Sequence, residues 1–136
     1  MSSEDFIGVT IVGVCKFNSF SGLQLWKLDG NKLQNKGGLW MSDEEWNFKT
    51  FKKGVETDLI HIENISRNKV LENSYFDGVV LQGYIQDSIF QQWEKGESDD
   101  EGYFTLENDG NPNKLLTATL SRPNYSLGLA IRGNIL

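Results

Sequence analysis

At 136 residues the chain fits one domain spanning 1–136, large enough to bury about two-thirds of its unfolded surface. A net charge of −6 leaves no basic stripe to neutralise phosphates, so neither nucleic acid nor an anionic membrane surface is an expected partner. A single cysteine excludes an intramolecular disulfide framework.

The N-terminal MSSEDF is acidic and lacks a basic region followed by an apolar core, and the VTIVGV run after it is too short to cross a bilayer. The expected location is the cytoplasm, or the exterior by a route without a signal peptide, and membrane insertion is not expected. No window keeps a helical stripe over three turns. The apolar runs are short and stop at Gly, Asn or Asp, which predicts an all-β fold. In chain order the expected strands are GVTIVGVCKF (8–17), LQLWKLD (23–29), KLQNK (32–36), GLWM (38–41), WNFKTF (46–51) and DLIHIEN (58–64). They continue with KVLE (69–72), VVLQGYI (79–85), YFTLEN (103–108), KLLTA (114–118) and YSLGLAI (125–131). Turn formers separate them: Asp29-Gly30-Asn31, Gly37-Gly38, Asp77-Gly78 and Asp109-Gly110-Asn111-Pro112.

Catalytic constellations are sparse. Cys15 lies in an apolar run and is expected as a buried, inert thiol. His61, the only histidine, shares a strand face with Leu59 and Glu63 and is expected at a cross-strand surface position, not as a general base. No cysteine–histidine group has metal-ligand spacing, and no Gly-rich loop opens a helix. Glu97-Ser98-Asp99-Asp100-Glu101 reads as a solvated loop, lacking the alternating oxygen ligands of a calcium loop. No cofactor is implied, and the chain is not expected to be an enzyme.

The sequence repeats itself. Ile60 to Asn64 matches Phe104 to Asn108 at an offset of 44, and Lys69-Val70-Leu71 matches Lys114-Leu115-Leu116 at 45. A tryptophan precedes each, Trp46 and Trp93, and a third copy begins at Gln24-Leu25-Trp26 with Asn35 after its strand. One such unit cannot cover its own apolar face, so three imply a threefold architecture. The three indoles are expected as core pillars, and the glutamines before them as donors to backbone in neighbouring loops. The terminal LAIRGNIL also copies KLDGNKL, a fourth partial unit. Either a permuted start, with GVTIVGVCKF completing the last repeat, or strand sharing between two chains would account for it.

Gln-x-Trp, a strand, Asn, Lys-x-Leu and an apolar strand resemble the repeat of the ricin-B-type β-trefoil, the R-type lectins. Gln24-Leu25-Trp26 and Gln91-Gln92-Trp93 carry the motif, the middle copy reads Glu44-Glu45-Trp46, and the likeness covers roughly residues 23 to 120. The resemblance implies a β-trefoil, permuted or strand-sharing, that binds galactose- or N-acetylgalactosamine-type glycans in one or two shallow repeat sites. It implies an acid after Lys-x-Leu, an aromatic ring on the next strand and an amide before Gln-x-Trp. Carried onto this chain, the set is Glu72 and Asn73, Asp77 in the turn, Tyr84 as the stacking ring, and Gln86 or Asp87 as the polar group. Glu72 replaces the family's Asp and adds a methylene. At the same position the other repeats have Thr117, followed by Tyr125, and Met41. A single shallow site binds weakly, so self-association, for instance as a homodimer, would supply avidity. A second reading is a trefoil without sugar, contacting a protein as a protease inhibitor does through loops such as 111–113 and 122–125. A hydrolase ranks third.

Overall fold

The computed structural model describes residues 10–11, 22–36, 44–50, 59–121 and 124–132, with backbone alone in 10–11, 119–121 and 124–126. Cys15, Trp40, Met41, the Gly37-Gly38 turn and the Gly133-Asn134 copy lie outside the described residues, as do the side chains of Asn124 and Tyr125. The chain is all-β. Its strands are β1 (Thr10–Ile11), β2 (Trp26–Asp29), β3 (Lys32–Asn35), β4 (Trp46–Thr50), β5 (Leu59–Asn64), β6 (Lys69–Asn73), β7 (Val79–Gln82), β8 (Trp93–Lys95), β9 (Leu106–Asn108), β10 (Lys114–Ser121) and β11 (Asn124–Ile131).

Two features are absent from the expected strands. Strand β8 has only three residues, too few for an alternating pattern, and a 3-10 turn (Ile89–Gln91) leads into it. The run expected to continue through Ile85 stops at Gln82, and Phe104 makes an isolated bridge two residues ahead of β9.

The repeats become three hairpins, β2–β3, β4–β5 and β8–β9, in each of which the tryptophan sits opposite the repeat's asparagine. The pairs are Trp26 with Asn35, Trp46 with Asn64, and Trp93 with Asn108. One backbone hydrogen bond recurs in all three: the N–H after the asparagine donates to the carbonyl before the tryptophan, as Lys36 to Leu25, Ile65 to Glu45 and Asp109 to Gln92. Each tryptophan also meets the residue four before another hairpin's asparagine. Trp26 pairs with Phe104, Trp93 with Ile60, and the Trp46 N–H donates to the Asn31 carbonyl. The three links run in one cyclic direction and close the hairpins into a six-strand ring.

Trp26, Trp46 and Trp93 are fully buried in one core cluster with Leu33, Ile60, Ile62, Leu71, Leu106 and Leu116. Burying an indole removes about 150–250 Å² from water, worth roughly 4–6 kcal/mol at 25 cal/mol per Å². Indole N–H groups need acceptors there. Trp93 Nε1 donates to the Leu71 carbonyl at 3.1 Å and Trp26 Nε1 to the Leu116 carbonyl at 2.8 Å. Those carbonyls lie at matching places in the hairpins β6–β7 and β10–β11, which pack below the ring.

The glutamines act as their position predicts. Gln91 Nε2 donates to the Gly83 carbonyl just past β7, and Gln24 Nε2 to the Ile131 carbonyl ending β11. Glu44, at the substituted position, instead holds the Arg67 guanidinium at 2.7 Å. Gln24 and Trp26 thus rest on the last hairpin of the chain, and β1 pairs with β11, with Thr10 opposite Ser126. Of the N-terminal run, Thr10 and Ile11 therefore lie beside the last strand of the chain.

Replacing Trp93 with Phe should strand the Leu71 carbonyl without its donor and cost about 1–3 kcal/mol, while Trp93→Ala should cost about 3–5 kcal/mol. Urea denaturation checks both, with the exposed Tyr84→Ala variant expected within about 0.5 kcal/mol of the parent.

Candidate functional site

The turn after β6 is built by Asn73. Its amide Nδ2 donates to the carbonyls of Phe76 at 2.9 Å and Gly78 at 3.0 Å, and its Oδ1 accepts from Asn111 Nδ2. That grip holds Phe76 at a φ of +55°, unfavourable for an aromatic residue, and lifts Tyr75 and Phe76 to 76% and 75% exposure. Asp77 extends the brace with an ion pair to Lys114 at 3.2 Å and a carbonyl that accepts from the Leu129 N–H.

Beside this turn lies a shallow cleft of about 370 Å³ lined by Glu72, Asn73, Ser74, Tyr75 and Phe90. Gln91 Nε2 donates to Glu72 Oε1 at 3.0 Å, so one carboxylate oxygen is oriented from behind. The Phe90 ring rests on Gly110, where an added Cβ would lie 2.5 Å from ring carbon Cδ1, and the Phe90 carbonyl accepts from Asn108 Nδ2. A carboxylate and two partly exposed rings therefore share one mouth.

Tyr84 is elsewhere. It lines a neighbouring cleft of about 340 Å³ with Lys49, His61, Glu63, Asp87 and Gln92. Its flanks are pinned by Gln91, whose Nε2 takes the Gly83 carbonyl at 2.8 Å and whose Oε1 accepts from the Ile85 N–H at 2.8 Å. The Tyr84 ring, 60% exposed, meets the His61 ring edge-on at 5.1 Å and 86°. Asp87 turns its backbone left-handed, φ +61°.

The six expected site residues therefore divide. Glu72 and Asn73 share the first cleft; Tyr84 and Asp87 share the second; Asp77 serves the turn; Gln86 is exposed and lines neither. The amide groups of Asn73 are committed to the turn, so its part is to shape the cleft. Tyr75, Phe90 and Gln92 were not among the expected site residues, which included one ring on the next strand, although Gln92 stands within the Gln91-Gln92-Trp93 motif and Phe90 beside it.

His61 requires a correction. It is 5% exposed, not at the surface, and the Tyr84 ring from the loop after β7 lies edge-on against it. Burial lowers its pKa, the nearby Glu63 carboxylate opposes that, and the Lys49 ammonium adds to it. The acidic stretch 97–101 is organised as well. Asp99 accepts from the Glu101 and Tyr103 N–H groups and pairs with Lys36, whose ammonium holds its carboxyl below the usual range. Among the described residues no three His, Cys, Asp or Glu side chains gather as a metal site. Thr117, in the carboxylate position of the next repeat, is buried and donates to the Leu115 carbonyl.

Two outcomes are expected. A histidine with a lowered folded pKa favours folding above its unfolded value near 6.5, and that contribution is lost as pH falls below it. Denaturation midpoints should fall between about pH 7.5 and pH 5.5, and fall less in His61→Gln. Gln91→Ala should release Gly83 and Ile85, cost about 1–3 kcal/mol, and speed hydrogen exchange at the Ile85 amide.

Comparison with solved structures gives the same fold at low sequence identity. A chain of the Haemophilus ducreyi cytolethal distending toxin matches at a TM-score of 0.51 and 18% identity, covering 98% of this chain and 78% of that one. A chain of the Actinobacillus actinomycetemcomitans cytolethal distending toxin (CDT) matches at 0.51 and 17%, covering 97% and 84%. No protein-family model and no curated protein matches.

Proposed function

We propose that this chain is a β-trefoil that binds carbohydrate, and that its site is the cleft of Glu72, Ser74, Tyr75 and Phe90. The observation that carries the reading is an oriented carboxylate beside two partly exposed rings in one shallow cleft. A carboxylate accepts hydrogen bonds from neighbouring hydroxyls, and aromatic faces cover the C–H face of a sugar ring. Gln91 turns one oxygen of Glu72 towards itself and leaves the other to a ligand. The braced turn costs little entropy on binding, because Asn73 and the Asp77–Lys114 pair already hold it. The cyclic Trp–Asn pairing and the two intact Gln-x-Trp copies support the trefoil and its likeness to R-type lectins. Galactose and N-acetylgalactosamine are the sugars that likeness names. The chemistry is binding, not catalysis, and avidity comes from self-association.

One observation favours the protein-contact reading. Tyr75 and Phe76, the two most exposed large apolar side chains described, stand together with ring centroids 4.2 Å apart. A glycan array read alongside protease-inhibition assays separates the two. Binding that galactose competes away, weakened about ten-fold or more by Glu72→Gln and by Tyr75→Ala, is the expected result. A silent array with inhibition of a cysteine or serine protease would replace the lectin reading with the inhibitor.

A further inference from the structure

We infer that the cleft beneath Tyr84 is a second ligand site, separate from that of Glu72, which receives an uncharged, hydroxyl-rich ring: a neutral monosaccharide unit. The class of ligand rests on the carbohydrate reading above; the existence of the site does not. The two clefts share no lining residue.

Gln92 is the starting point. Its side chain is 1% exposed and lines the cleft, yet its Oε1 accepts no hydrogen bond from any described residue. A buried acceptor left without a donor costs about 1–3 kcal/mol. The threefold frame does not ask for this side chain. At the position before tryptophan the other copies carry Leu25 and Glu45, and only the backbone carbonyl is used in all three. The glutamine therefore supplies something the fold does not need, a buried acceptor without a donor on a residue that lines the cleft.

The remaining lining fits the same ligand. Glu63 and Asp87 add carboxylate acceptors, and Lys49 adds one ammonium donor. Two carboxylates against one ammonium repel an anionic ligand, while hydroxyl donors satisfy both carboxylates and the Gln92 oxygen. Tyr84 offers an exposed ring for stacking, pre-set by the hold of Gln91 on Gly83 and Ile85 and by the edge contact with His61. A cleft of about 340 Å³ sits at the small end of ligand pockets, which suits a single ring. Gln91 thus orients Glu72 of the first cleft through a hydrogen bond, while Gln92 lines the second.

NMR titration of the ¹⁵N-labelled chain with galactose, N-acetylgalactosamine, glucose, mannose and N-acetylneuraminate tests this, each at about 50 mM, well above the millimolar affinity of a weak site. At least one neutral sugar should shift the Gln92 side-chain amide and the backbone amides of Tyr84 and Asp87. Tyr84→Ala, at an exposed position, should weaken those shifts ten-fold or more with the rest of the spectrum intact, and Gln92→Met should abolish them. They should persist in Tyr75→Ala. The proposal is overturned when no neutral sugar moves these signals, when they vanish in Tyr75→Ala, or when N-acetylneuraminate moves them as strongly. Shifts at Gln92 with none around Glu72 support this site and sink the one proposed above; shifts around Glu72 alone do the reverse.

Discussion

The fold depends on where three indoles can go. Each is too large to cover with its own hairpin, so each must be roofed by residues from another. Backbone links from Trp26 to Phe104, Trp93 to Ile60 and Trp46 to Asn31 bring that about and, being cyclic, leave no hairpin unpartnered. Burial supplies the energy, and the indole N–H groups supply direction. By donating to Leu116 and Leu71, Trp26 and Trp93 fix which outer hairpin sits under which part of the ring. An indole without that acceptor would lose an interaction that a dry core cannot replace.

The asparagines make the same frame specific. Asn35 and Asn108 each donate to the carbonyl three residues before their tryptophan, Leu23 and Phe90, tying the entry of one strand to the end of its partner. Asn64 and Asn108 accept from the backbone of the turn that follows, at Arg67 and Gly110. Those turns end on left-handed asparagines, Asn68 at φ +54° and Asn113 at +69°, one residue before Lys69 and Lys114. The same residue types recur because the same polar groups need partners at the same places.

This explains how much could be read in advance. Residues bound to the hairpin frame recur, Trp and Asn in three copies and Lys-x-Leu and the glutamines in two, so the repeat was legible in the sequence. Residues lining the clefts are free of that constraint and carry no period. Tyr84 and Glu72 lie twelve positions apart in sequence, and no pattern says that they open to different clefts. His61 was misplaced for a related reason. Alternation in LIHIEN suggested a wet face, but the Tyr84 ring, from a loop distant in sequence, lies against His61, and only Glu63 on that face stays partly exposed.

Gln91-Gln92 concentrates the distinction between frame and function. Gln91 obeys the repeat: like Gln24 it reaches the carbonyl at the end of an outer strand. In this copy its amide also reaches Glu72, and its oxygen takes the Ile85 N–H, so a framework residue sets a carboxylate and the loop of Tyr84 together. Gln92 contributes only its backbone to the frame, which frees its side chain to differ from Leu25 and Glu45. The loop of this lobe between the outer hairpin and the tryptophan runs from Gly83 to Gln92 and carries Tyr84, Asp87 and Gln92, which line one cleft. A threefold scaffold can thus carry an unequal surface. Groups bound to the axis are held identical by packing, and groups one residue away can change without moving an indole.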